Sequence, residues 1–295
     1  MMNTEKNIII TGASSGIGAA LTQTLAKQGY RLYVCARRGK KLNLVTLNNT
    51  IAAGYKCDVS KEKQVKSFIA HIQEYTNNIY ALINCAATFG AIGKMIKTES
   101  KDWRRTMEVN LFGTYYMIKN AAPLMSGRLR SRIINFSGGG AFEAFPNYSA
   151  YAVSKAAVVR LTETLAAELA PAEIAVNAVA PGFVATEIHE QTLQAGIDNA
   201  GSDHFAATLK KLSSNSVPID IPINCVNFLL SEKADGLTGK TISAGFDPWS
   251  NQKFQENIAE INKSDLYTMK RINLINLPDE KLYSCLVSED IEKKV

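Results

Sequence analysis

Short apolar runs rich in β-branched residues alternate along the chain with longer segments in which apolar positions recur at helical spacing. The runs are "NIII" from Asn7, "RLYVCA" from Arg31, "ALINCA" from Ala81, "RIINFS" from Arg132 and "IAVNAVA" from Ile174. Helical periodicity follows the first four in turn, over residues 19–28, near Lys40, over 102–125 and over 151–170, and a polar stretch follows the fifth. Strands that are apolar at successive positions are covered on both faces, and their alternation with helices predicts βαβ units. The expected fold class is α/β, a doubly wound parallel sheet in three layers, forming a single domain over residues 1–245.

Two regions depart from the alternation. Residues 186–216 are polar, helical in places, and follow a strand end, which is where ligands bind in a doubly wound sheet; a substrate lid and a plain surface excursion are both open readings. Residues 246–295 carry Phe254, Ile258 and Ile261 at helical spacing. Fifty residues make a poor independent core, so this segment is expected as a C-terminal helical extension docked on the body or on a neighbouring subunit.

Composition narrows the class. With 295 residues and 46% hydrophobic content the chain can bury a large core, and 33 basic against 27 acidic residues give +6, spread as single residues and pairs such as Arg37-Arg38, Arg104-Arg105 and Lys210-Lys211. Without a basic run, nucleic acid is not an expected partner; without a long apolar run or a leader pattern, neither is a membrane, and the reading is a cytoplasmic protein. Five cysteines without CxxC spacing and three scattered histidines indicate no disulfide framework and no metal site.

The first candidate chemistry is the turn after "NIIIT". In "TGASSGIG", Gly12, Ser14, Ser15, Gly16, Ile17 and Gly18 join a strand to a helix; glycines there let the backbone approach a pyrophosphate, and the free N–H groups of the helix start stabilise its charge. After the second strand stands Ala36 instead of an acidic residue, followed by Arg37 and Arg38. A carboxylate there would bind the ribose hydroxyls of NAD, whereas guanidinium groups pair with a 2′-phosphate, so NADP(H) is favoured and NAD(H) stays open.

These motifs, with "CDVS", "NCAA", "VN", "YAVSK" and "PGFVAT" in the same order, identify a resemblance to the short-chain dehydrogenases/reductases over roughly residues 5–245. The resemblance implies a Rossmann-type domain with a seven-stranded sheet, a nicotinamide cofactor, a small carbonyl or alcohol substrate, and a homodimer or homotetramer. It also implies that Asp58 and Val59 contact the adenine, that Asn84 and Ala86 line the nucleotide, and that Pro181, Gly182, Val184 and Thr186 hold the nicotinamide end.

Tyr151 and Lys155 are four residues apart on one helix face. A phenol with an ordinary pKa near 10 is brought toward acid–base use by a neighbouring ammonium, which is what a carbonyl reductase needs. By resemblance Lys155 also holds the nicotinamide ribose, and Asn110 helps position a proton-relaying water. The family serine that polarises the carbonyl stands 13 residues before the tyrosine; here that position is Gly138, and Ser137 precedes it. Strand alternation turns Ser137 away, and the glycines after it allow the backbone to bring it back, so two outcomes stand. Two functions stand as well: an active oxidoreductase using Asn110, Tyr151, Lys155 and Ser137, or a cofactor-binding protein of the same fold that has lost catalysis. Phe89, Phe142, Phe145, Tyr148 and Trp249 are candidates to line the substrate pocket.

Overall fold

A computed structural model describes residues 6–39, 42, 51–125, 130–214 and 216–271. The helix expected near Lys40 and the tail beyond 271 lie outside the described residues. The apolar runs form β1 (Asn7–Thr11), β2 (Arg31–Ala36), β4 (Ala81–Asn84), β5 (Arg132–Phe136) and β6 (Ala175–Ala180). β3 (Ile51–Lys56) and β7 (Thr241–Ser243) complete a seven-stranded parallel sheet in the order β3-β2-β1-β4-β5-β6-β7. β3 reads "IAAGYK", with small residues where a strand signal needs β-branched ones, and so it did not register as an apolar run.

Alternate residues of the strands feed two cores. Ile8 and Ile10 pack on one face with Leu21 and Leu25 of α1 (Gly16–Lys27) and with Val226 and Leu229 of α8 (Asp220–Leu230). Ile9 packs on the other with Val65, Phe68 and Ile72 of α2 (Glu62–Gln73) and Met117 of α4 (Gly113–Ala121). Each fully buried isoleucine of β1 is worth roughly 1.5–3 kcal/mol, which fixes the register of the central strand. The strand order reverses between β1 and β4, so a crevice opens above their carboxyl ends.

Three further features position the site. The helix that begins as α3 (Ser100–Met107) passes through a π-helical turn, Glu108–Phe112, before α4, and Asn110 lies in that turn. α5 (Ser149–Glu168) follows β5 after a link of 12 residues, 137–148, and carries Tyr151 in its first turn. The polar segment after β6 forms α6 (Glu190–Ala200), kinked at Gly196 with φ +75°, and α7 (Ser202–Ser214).

The segment after β7 forms α9 (Gln252–Glu256) and α10 (Ile258–Lys263), with Phe254, Ile258 and Ile261 buried in the same core as α1 and α8. Helices this short form only when packed. The chain then returns along the last strand: the Thr241 N–H donates to the Tyr267 carbonyl at 2.8 Å, and the Ser243 N–H to Asp247 Oδ2 at 2.6 Å. Among the described residues no helix is long and apolar enough to cross a membrane, and no cluster of His, Cys, Asp or Glu could hold a metal ion.

Candidate active site

A cleft of about 730 Å³ lies above the carboxyl ends of the strands. Its floor at one end is the glycine turn. Gly12 has φ +69° and its hydrogen faces the Ala86 backbone; a Cβ there would sit 2.8 Å from the Ala86 nitrogen. A Cβ on Gly18 would sit 2.5 Å from the Gly12 carbonyl oxygen. Only glycine fits at either place, and the backbone therefore stays open beneath the cleft. The start of α1 has no side-chain cap and no acidic residue in its first turn, so its amides and positive dipole end are free for an anion. These features fit the pyrophosphate of a dinucleotide.

Of the residues singled out for the cofactor, Gly12, Ser14, Ser15, Gly16, Ile17, Gly18, Arg37, Arg38, Asp58, Val59, Ala86, Tyr151, Lys155, Pro181, Gly182, Val184 and Thr186 all line this cleft. Asn84 does not: it is buried beneath the floor, where its amide donates to Asn135 Oδ1 at 2.9 Å and Asn135 in turn donates to Thr162 of α5. Cys85, Ala86, Ala87 and Thr88 form the wall in its place. The two arginines differ. Both are exposed, but Arg38 donates to Ser15 Oγ at 3.0 Å and to the Glu187 carboxylate at 2.6 Å, tying the glycine turn to the segment after β6, whereas Arg37 makes no such bond among the described residues. Burial raises the affinity of the Asp58 carboxyl for its proton, but bonds from Ser60 and Arg105 outweigh it and hold the group below its ordinary range.

At the reacting end, Tyr151 is buried between aromatic rings, its centroid 4.7 Å from that of Phe89 and 6.3 Å from that of Phe145. A Cβ built on Gly138 would fall 2.2 Å from Tyr151 Oη, so the tyrosine hydroxyl occupies the space of the side chain missing at 138. Ser137 lines the cleft as well, 3% exposed, and its Oγ makes no hydrogen bond within the protein, to Tyr151 or to any other group. The side chain facing the tyrosine is thus that of position 138, as strand alternation requires.

Lys155 lies one turn along α5, its ammonium 5.7 Å from the Tyr151 ring centroid and donating to the Phe136 carbonyl at 2.7 Å. Burial lowers its pKa to about 8 and raises that of Tyr151 well above the ordinary phenol value. The sequence predicts a phenol brought down by the ammonium; in the structure desolvation acts the other way and favours the protonated phenol. Asn110 does not line the cleft. Its side chain accepts from Thr88 N and donates to Thr88 O and Ser154 Oγ, each at 2.9 Å, while its backbone carbonyl accepts from Thr114 Oγ1. It braces the β4 loop against α5.

The substrate end is walled by Phe89, Phe145 and Phe183 with His189, His204 and Lys211. Two expected lining residues sit elsewhere: Phe142 is exposed, and Trp249 packs on Phe228 and donates to the Ala244 carbonyl. Tyr148 backs the wall, stacked on Phe145 at 4.4 Å with its hydroxyl donating to Thr192. Sequence reasoning missed Phe183, His189, His204, Lys211 and Gln191. Gln191 Oε1 accepts from Thr88 Oγ1 and from the N–H groups of Phe89 and Gly90, pinning α6 to the β4 loop. Burial lowers the pKa of His189 to about 4, and that of His204 also falls, so both rings are neutral near pH 7. A signal for them existed: two of the three histidines fall in the polar stretch after the fifth apolar run.

Comparison with known proteins decides the family. The family model described as short chain dehydrogenase matches residues 6–196. This chain belongs to the short-chain dehydrogenase family. Dehydrogenase/reductase SDR family member 4 of Sus scrofa is 30% identical over 247 residues, covering 81% of this chain and 86% of that protein. The 3-oxoacyl-(acyl-carrier-protein) reductase FabG of Staphylococcus aureus is 29% identical over 252 residues, covering 82% and 97%. Among solved structures, an actinorhodin polyketide ketoreductase with NADPH superposes with a TM-score of 0.71 at 27% identity, covering 81% of this chain and 95% of that one. The protein is thus an oxidoreductase of a family that binds a nicotinamide cofactor and acts on small molecules, built on the Rossmann-type sheet that its sequence predicts.

Proposed function

We propose that this short-chain dehydrogenase is an NADP(H)-dependent oxidoreductase that interconverts a carbonyl compound and a secondary alcohol. The observation that carries the reading is the buried Tyr151 hydroxyl over the glycine run, one helical turn from Lys155 and inside the cleft that the glycine turn floors. The bound nicotinamide supplies or accepts the hydride. Tyr151 gives its proton to the carbonyl oxygen during reduction and takes it back during oxidation, and Lys155 holds positive charge beneath the developing phenolate. Asn110 keeps the β4 loop and α5 in register. Ser137 is the candidate second donor to the oxygen, because the residue lines the cleft and its buried hydroxyl spends no hydrogen bond inside the protein; it serves only if the glycines after it let the backbone turn the hydroxyl toward Tyr151.

NADP(H) is preferred because Arg37 stands free at the end of β2, where no carboxylate repels a 2′-phosphate; the NADPH-bound ketoreductase relative supports this reading. We place the protein in the cytoplasm as a homodimer or homotetramer. Exposed Phe112, Tyr115 and Val153, on and beside α4 and α5, offer the apolar surface for assembly. The test is NADPH consumption across a panel of ketones, sugars and secondary alcohols. The glycine at 138 is the one feature favouring a non-catalytic cofactor-binding protein, and tight NADPH binding without turnover of any of these compounds would select it.

A further inference from the structure

The cationic side chains of the cleft are only partly matched. Five cationic side chains line it: Arg37, Arg38, Arg105, Lys155 and Lys211. Arg38 is paired with Glu187 and Arg105 with Asp58, both at 2.6 Å, and Lys155 donates to the Phe136 carbonyl. Arg37 and Lys211 are left, neither within ion-pair distance of a carboxylate among the described residues. Arg37 stands at the cofactor end, and its charge is accounted for by the 2′-phosphate of the proposed cofactor.

Lys211 stands at the other end. It is carried on α7, exposed, with its ammonium 5.3 Å from the centroid of Phe183; Phe183 in turn stacks on His189 at 3.8 Å. Its positive field reaches both imidazoles and adds to the burial that keeps them uncharged. The one acidic residue lining the cleft apart from the paired Asp58 and Glu187 is Glu143, which makes no ion pair with Lys211 or with any other described residue. An unmatched ammonium at the mouth of an otherwise aromatic chamber is a recognition element for an anion whose apolar body the rings cover.

Resting on the oxidoreductase reading above, we propose that Lys211 receives an anionic group of the substrate, so that the protein acts on carbonyl compounds, or the corresponding alcohols, that carry a carboxylate or a phosphate. Phe183 and Phe89 hold the apolar body between that group and Tyr151. The neutral His204 and His189 are placed to hydrogen-bond an anion or a nearby hydroxyl without adding charge.

The test separates this proposal from the redox reading, because it measures binding. The full chain saturated with NADPH is titrated with benzoate, phenyl phosphate and the neutral isostere benzamide by calorimetry. A charge-assisted bond predicts that at least one anion binds about tenfold or more tightly than benzamide, the tighter of the two naming the anionic group. Lys211→Met should abolish that difference, and Lys210→Met, one residue away, should retain it. Equal affinity for anions and benzamide in the wild-type protein overturns the proposal, as does an unchanged preference in Lys211→Met or the same loss in both variants, which would assign the effect to net charge. Absence of turnover with every carbonyl compound, beside a Lys211-dependent anion preference, would fail the redox reading alone.

Discussion

At the cofactor end of the cleft the floor is backbone, formed by the glycine turn, the start of α1 and strand ends held in the ladder of β1, β2 and β4, with Arg37, Arg38 and Asp58 beside it. At the substrate end the walls are side chains: three phenylalanines, two histidines and a lysine, four of the six carried by the chain after β6. A wall of amides recognises what is common to every dinucleotide, and it tolerates few residue types because Gly12 and Gly18 each close on another stretch of main chain. A wall of rings recognises shape and charge, and it can be rebuilt one residue at a time. The two walls meet at Tyr151, the proposed acid–base residue, with its first neighbours Phe89 on one side and Gly138 on the other.

The junction gives the largest expected effect. Tyr151→Phe keeps the ring between Phe89 and Phe145 and removes only the donor, so turnover should fall about 100- to 10,000-fold while NADPH affinity and melting temperature hold. Steady-state kinetics beside a cofactor titration check both halves of that statement. Near-normal turnover would move the proton elsewhere.

Ser137→Ala probes the hydroxyl left without a partner. As a donor to the carbonyl oxygen it should be worth about 100-fold in kcat, with little change in cofactor affinity. A silent substitution would mean that the hydroxyl is an unpaired buried group, and a small gain in melting temperature would accompany it. Restoring the family serine is expected to fail: Gly138→Ser puts a Cβ where Tyr151 Oη now lies, and displacing a ring packed between two others should cost about 1–3 kcal/mol. Its readouts are a lower melting temperature together with reduced turnover.

Arg37→Asp addresses the far end. Exchanging a phosphate partner for a carboxylate should reduce the NADPH to NADH affinity ratio by about 10- to 100-fold, and leave the reaction with the bound cofactor unchanged. Wild-type protein that binds NADH at least as tightly as NADPH would refute the reading of Arg37.

The smallest effect is in pH. Lys155 titrates near 8 in the folded protein against 10.5 for an ordinary lysine, because burial disfavours its charge. Reduction should therefore decline above about pH 8, as the charge beneath Tyr151 is lost. Between those two values the unfolded chain binds the extra proton, so this group makes stability rise with pH while activity falls. Opposed trends in rate and melting temperature, with the stability trend absent in Lys155→Met, would be diagnostic; parallel trends would assign the rate loss to unfolding.

The two ends were also unequally legible in the sequence. Gly12, Gly16, Gly18 and the Tyr151–Lys155 spacing announce themselves because backbone approach and a shared helix face permit few alternatives. The sheet was legible where strands are both β-branched and long; β3, with its alanines and glycine, and β7, only three residues long, were not. At the substrate end aromatic residues serve core and pocket alike, so nothing local separates Phe89 from Trp249; the first faces Tyr151 and the second packs on Phe228. Asn84 and Asn110 were legible as polar residues near the site, but whether an amide faces the cleft or braces it from behind depends on partners such as Asn135 and Ser154, which come from distant parts of the chain.

The short last strand has a consequence for how the molecule behaves in a crowded solution. A parallel sheet ends in a row of outward N–H groups that any extended chain can join. On β7 those donors are Thr241 and Ser243, and both are taken, one by the Tyr267 carbonyl and one by the Asp247 carboxylate. The returning segment works as a selvedge, finishing the fabric of the sheet so that it does not pick up a foreign strand on that side.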